Sequence, residues 1–308
     1  MFREGIPSKQ LSAWLAAAMI PVLIQTLSGM SWLMVLMFGT LSVVVGRWIW
    51  GVGSIDVPRW VSIAQFLFLI LLLGQLLEGA AKTWQSENGW AVPLIMLVLA
   101  AWSAQKGPSA AARVGCVLFW FVLVIYLIVL GAGVKDVHLL WLKPSGTKVE
   151  WLGMVVLLLP CAASVLLKSG EKWGVRLVLP MAFAVTATMV TVGVLSASVA
   201  SSIWDPFYEM SRSLSLLGVA KRFEAVVSAG MTVGWFALIS LLLTVSGKYF
   251  EKIVEGKGRL GIWVCGVVSV IWLLCGLHIP QWITGILAAV FWVGIPVLTQ
   301  GIETQKKS

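Results

Sequence analysis

The sequence predicts an all-α integral membrane protein of about ten transmembrane helices, on three observations. Hydrophobic residues make up 59% of the 308 and charged residues only 11%, with a mean hydropathy of +0.96, whereas a soluble domain carries about a quarter of its residues as Asp, Glu, Lys or Arg. Apolar runs of helical length recur between short charged or turn-rich breaks, and about 20 such residues cross a bilayer. Lys and Arg fall in these breaks in ones and twos, alternately dense and sparse. The net charge of +9 therefore reads as a topology signal, since a nucleic-acid surface needs a continuous basic stripe.

Taken in order, the apolar runs predict helices near 10–28, 31–50, 60–81, 89–105, 112–132, 151–167, 174–198, 219–246, 260–277 and 280–299. The first is too long for a cleaved signal core and leads at once into the second, so it is expected to stay in the membrane. Arg3 and Lys9, Arg47 and Arg59, Lys106 and Arg113, then Lys168, Lys172 and Arg176, then Lys248, Lys252, Lys257 and Arg259, and finally Lys306 and Lys307 fall on one side. That side collects fifteen of the basic residues against seven on the other, which predicts both termini cytoplasmic. Trp48, Trp50, Trp60, Trp84, Trp90, Trp141, Trp151, Trp173, Trp204 and Trp282 lie near span ends, as an interfacial belt requires. Trp120, Trp235 and Trp272 lie deeper and read as packing residues.

Enzyme chemistry finds little footing. Cys116, Cys161, Cys265 and Cys275 lie in apolar stretches without a CxxC pair, and His138 and His278 stand away from any ligand cluster. No cofactor or metal is expected.

A binding site is predicted at paired prolines. Pro21 lies in the first span, which ends at Gly29; Pro160 lies in the sixth, which ends at Gly170 before Trp173. Five spans separate them, as a five-plus-five inverted repeat demands, with one repeat at about 10–132 and the other at about 151–299 of a single polytopic domain, 1–308. A helix-interior proline frees the carbonyl four residues earlier, here Ala17 and Val156. Gln25, Thr26 and Ser28 follow the first proline, and Cys161, Ala162, Ala163 and Ser164 the second. The alternative is a pair of ordinary kinks whose hydroxyls bond back to the preceding turn. Long charge-free spans argue against a proton relay. Glu78 and Gln75, three apart on one helical face, are either ligand contacts or an interfacial pair.

Between the seventh and eighth spans, Asp205 can cap a helix that starts at Pro206. Phe207, Met210, Leu214 and Leu217 would share one face, with Glu209 and Arg212 opposite and Lys221, Arg222 and Glu224 opening the next span. This reads as a short amphipathic helix, serving as a lid, a partner contact or a headgroup-bound segment.

At this segment the sequence resembles the spore germination permease family, the polytopic B subunits of nutrient germinant receptors. The match is Pro206-Phe207-Tyr208-Glu209-Met210-Ser211-Arg212 to the family's Pro-x-x-Glu-x-x-Arg, followed by Arg222-Phe223-Glu224 for its Arg-x-Glu. Ile6-Pro7-Ser8-Lys9-Gln10-Leu11, Ser31-Trp32-Leu33, Ala112-Arg113 and Leu139-Leu140-Trp141-Leu142-Lys143-Pro144 resemble family positions at the entries to spans one, two, five and six. Ser31 departs from the acidic residue common there. The resemblance implies an inverted repeat of the amino acid permease type in a membrane of a spore-forming bacterium. It also implies sensing of a small, amino-acid-like nutrient and assembly with an A-type subunit and a lipoprotein C-type subunit. A secondary amino acid transporter and a non-binding assembly subunit are the alternatives.

Overall fold

The computed structural model describes residues 5–52, 58–83, 90–142, 149–167, 177–214, 223–276 and 279–296. Outside them lie Trp84, Gly170, Trp173, Leu217, Lys221, Arg222 and His278, together with Arg3, Lys143, Lys148, Lys168, Lys172, Arg176, Lys306 and Lys307 of the orientation count. The described residues form helices and turns, with one isolated bridge between Ile6 and Leu167 and no longer strand among them.

Among the described residues, six helices are long and apolar enough to cross a membrane: α1 (Ser8–Leu27), α2 (Trp32–Val52), α3 (Arg59–Thr83), α5 (Pro108–Gly133), α8 (Val178–Leu195) and α11 (Phe223–Ile253). Shorter apolar segments are α4 (Ala91–Gln105), the pair α6 (Trp151–Leu157) and α7 (Leu159–Ala163), α12 (Gly258–Leu274) and α13 (Gln281–Ala289), which widens into a π-helical turn over Val290–Gly294. Two short polar-flanked helices, α9 (Ala197–Ser202) and α10 (Pro206–Ser213), join α8 to α11. The chain is an all-α protein with the apolar helices of a membrane protein. Local signals set several boundaries: Gly107 adopts φ +105°, which only glycine takes without strain, and Pro108 then opens α5 with no amide to satisfy.

The bundle is built around α1. Buried residues fill 89% of its apolar stretch but only 28% of that of α2, whose Leu33, Leu36, Met37, Phe38, Leu41 and Val44 face outward. Lipid is as apolar as a protein core, so helix association rests on close packing of small residues rather than on hydrophobic transfer. Three glycines from three helices provide that packing. Gly115 of α5 receives Trp14, Gly153 of α6 receives Leu27 and Thr26, and Gly234 of α11 receives the Pro21 ring; a Cβ at any of them would overlap those side chains. Ala13, Ala16, Ala17 and Ala18 keep the rest of α1 slim, and all are fully buried.

The two prolines behave differently. At Pro21 the helix continues to Leu27 without interruption, because the ring is enclosed by α11 at Gly234. Near Pro160 the helix is broken: α6 stops at Leu157, α7 starts at Leu159, and a tight turn over Ser164–Leu166 ends the segment. The carbonyls at this break are taken by α2, with Ser42 Oγ donating to the Leu157 oxygen and Trp50 Nε1 to the Pro160 oxygen at 2.7 Å. Trp50 is thus a buried donor, not a belt residue, while Trp48, Trp60, Trp90, Trp141, Trp151, Trp204 and Trp282 are exposed.

Two alanine substitutions on α5 separate packing from propensity. Gly115→Ala should lower thermal stability in detergent by about 1–3 kcal/mol through the clash with Trp14. Gly131→Ala, where an added Cβ meets no atom within 4 Å, should leave stability unchanged or raise it by up to about 1 kcal/mol.

Candidate functional site

The most polar interior contact starts at Gln25, near the end of α1. Its Oε1 accepts from the Trp235 indole of α11 at 2.9 Å, and its side chain also hydrogen-bonds the carboxylate of Asp205. One amide, buried itself, joins α1, α11 and the start of α10. Asp205 is the N-cap that its sequence suggests: Oδ1 accepts from the Tyr208 amide at 3.0 Å, and Pro206 occupies the first helical position. Burial of the same carboxyl, aided by the Glu209 charge and opposed by the bonds from the Tyr208 amide and Gln25, raises its pKa to about 7.

Helix α10 is seated on the bundle. Phe207, Met210 and Leu214 are buried, and Phe207 stacks on Tyr126 of α5 with ring centroids 5.7 Å apart and planes 24° from parallel. Gly29 lets the α9–α10 connection pass, since a Cβ there would meet the Ala200 oxygen at 2.9 Å and the Pro206 ring at 3.5 Å. Glu209 and Arg212 face outward and pair at 3.2 Å, and Arg212 Nε reaches Glu224 at 3.4 Å. Arg212 and Glu209 are both well exposed, so solvent screens the pair. Arg222 lies outside the described residues.

Two adjoining cavities open beside this contact. The inner one is lined by Gln25, Thr26, Gly79, Glu150, Trp204 and Trp235 among others, and holds only about 20 Å³, room for roughly one water. The outer cleft holds about 300 Å³ and is lined by Gln75, Glu78, Lys82 and Pro280 among others, with Gly79, Leu152, Trp204 and Gln281 shared between the two. That volume suits a small molecule. Glu78 and Lys82 pair at 2.8 Å along α3, and Lys82 Nζ lies 5.4 Å from the centroid of the Trp204 ring. Gln75 donates to the Ile279 carbonyl at 2.9 Å, which leaves its buried Oε1 without a hydrogen-bond partner among the described residues. The cleft therefore offers a carboxylate, an ammonium and the Gln281 amide, a set that complements both ends of a zwitterion.

The proline-flanking residues distribute unevenly around this site. Gln25 and Thr26 line the inner cavity, although the Thr26 hydroxyl bonds back to the Val22 carbonyl at 2.7 Å. Ser28 is buried beside them, its hydroxyl without a partner among the described residues. Pro21 faces Gly234. Pro160, Cys161, Ala162 and Ser164 line neither cavity; Ser164 bonds to the Cys161 carbonyl at 2.7 Å within its own turn. Conversely, Trp235 and Trp204 have site positions that their place along the chain does not announce. Lys82 is foreshadowed only by its four-residue spacing from Glu78, and Gln281 by nothing. The chain matches no protein-family model and no curated protein sequence.

Gln25→Leu should cost about 1–3 kcal/mol of thermal stability, because it strands the buried Trp235 donor and removes a bond to Asp205. Thr26→Val, whose hydroxyl is satisfied locally, should cost less than about 1 kcal/mol in the same melt.

Proposed function

We propose that the chain is a permease-like subunit of a nutrient germinant receptor, binding a small zwitterionic molecule in the outer cleft and signalling through α10. The observation that carries this reading is the cleft itself: Glu78, Lys82 and Gln281 line a volume of about 300 Å³, and Trp204, two residues before the Pro206-x-x-Glu209-x-x-Arg212 helix, lines it too. The ligand ammonium would go to Glu78, its carboxylate to Lys82 and Gln281. The inner cavity is too small for it, so contact with Gln25 and Thr26 follows only if Trp204 moves.

In this reading all ten apolar segments cross the membrane of a spore-forming bacterium as a five-plus-five inverted repeat, with both termini cytoplasmic. The exposed Glu209, Arg212 and Glu224 group is the surface offered to the A-type or lipoprotein C-type subunit. A second reading, a secondary amino acid transporter, is favoured by the buried Asp205 carboxyl, an ionisable group of the kind that coupled transport uses.

The test is thermal stability of the purified chain against amino acids, sugars and nucleosides. A ligand at 100 times its Kd should add about 2.7 kcal/mol, and Glu78→Gln or Lys82→Ala should abolish that gain while each chain stays folded. Saturable uptake of the same compound into vesicles would favour the transporter. No gain with any compound would leave the assembly role, and charge reversal at Arg212 should then break the complex.

A further inference from the structure

We propose that Asp205 is a proton-binding site whose protonation is coupled to the seating of α10 on the bundle and of Trp204 at the two cavities. The geometry rests on three features. Asp205 belongs to the connection between α9 and α10, outside the membrane-spanning helices, yet its carboxyl is buried at the junction of α10 with α1. Its hydrogen-bond partners are a backbone amide and the neutral Gln25 side chain, so among the described residues no cation is paired with a carboxylate there. Its neighbour Trp204 lines both cavities and lies against Lys82, so lifting the start of α10 moves a wall that the two share.

Among the described residues, the charge that acts on the Asp205 carboxyl disfavours its ionisation. On its own helix, Glu209 disfavours ionisation, and the α10 cation, Arg212, turns outward to Glu209 and Glu224. From α5, Tyr126 lies within Coulombic reach of the carboxyl; Tyr208 contributes its backbone amide. Facing α11 offers Trp235, through Gln25, and Glu224, while α8 and α9 carry no titratable side chain. Gln25 can serve either state, because its amide donates to a carboxylate while its oxygen has a second lone pair for a carboxylic acid O–H.

The direction of coupling follows from linkage. In the seated form the carboxyl releases its proton near pH 7, whereas a solvated aspartate does so near pH 4. Between about pH 4 and about pH 7 only the seated form holds the proton, so seating takes up a proton there. Acid pH favours the seated helix, and stability of the seat is lost as pH rises through that window.

The test uses the full chain in lipid nanodiscs without ligand, so its outcome is separate from that of nutrient binding. Infrared difference spectra should show a carboxylic acid signal that disappears with a midpoint near pH 7 and is absent in Asp205→Asn. Seating is read from maleimide labelling of the thiol introduced by Ser211→Cys, a fully buried position on α10, relative to the exposed Cys275 of the same molecule. That ratio should rise at least about tenfold from about pH 5 to about pH 8, and stay flat when Asp205→Asn is added. A midpoint in the ordinary carboxylate range, a signal that survives Asp205→Asn, or labelling that ignores pH would each overturn the proposal. If Asp205→Asn does not fold, Gln25→Leu keeps the carboxyl and removes a bond that favours its ionised form. Its midpoint should move upward, and an unmoved midpoint would equally overturn the proposal.

Discussion

Complete enclosure of α1 is the constraint on which the other elements depend. A helix with a continuous lipid-facing side needs partners on one side only; α1 is enclosed by α5, α6, α8 and α11. Water-driven burial supplies little of this inside a bilayer, so the enclosure rests on shape, and shape here means glycine facing a bulky α1 residue: Gly115 with Trp14, Gly153 with Leu27, Gly234 with Pro21. The same fit explains why a proline can sit in an unbroken helix. Its ring fills a space made for it, while the second proline belongs to a helix whose loose carbonyls are held by Ser42 and Trp50 of α2.

Gln25 extends that central helix into the candidate site. An amide can accept from an indole and donate to a carboxylate at once, and here it does both where three helices meet. Beside it the two cavities divide the work by size, one limited to about a single water and the other able to take a small molecule. The outward ion pairs of Arg212 belong to a different regime. They are screened and weak as structural ties, which suits a surface that exchanges partners more than one that holds a fold.

The helical architecture was legible in the sequence, because runs such as 91–105 and 112–132 are bounded by charges, glycines and prolines that act locally. The start of α10 was legible too, since Asp205-Pro206 is a cap followed by a first-turn proline. The second role of Asp205 was not. Spacing along the chain exposes its bond to Tyr208, three residues away, but not its approach to Gln25, which depends on how α10 folds back over α1. Trp50 misled for a similar reason, and Trp235, buried as its depth suggested, also carries a bond that its position did not announce. Position within a span says how deep a tryptophan lies, not whether its indole meets a carbonyl or a glutamine. The outer cleft draws on α3 and α13, and only Gln75 and Glu78 carried a local hint of it.

The enclosure of α1 also sets an order of events during synthesis. The helix is made before α5, α6 and α11, whose Gly115, Gly153 and Gly234 complete its surroundings, and the last of these follows Pro21 by most of the chain. Until α11 is inserted, the carbonyl freed by Pro21 and the amide of Gln25 face lipid or a surrogate partner, a costly exposure for backbone and amide alike. A nascent chain of this protein therefore passes through a long interval in which its future centre is its least satisfied part. That interval makes α1 a natural client for membrane chaperones and quality control.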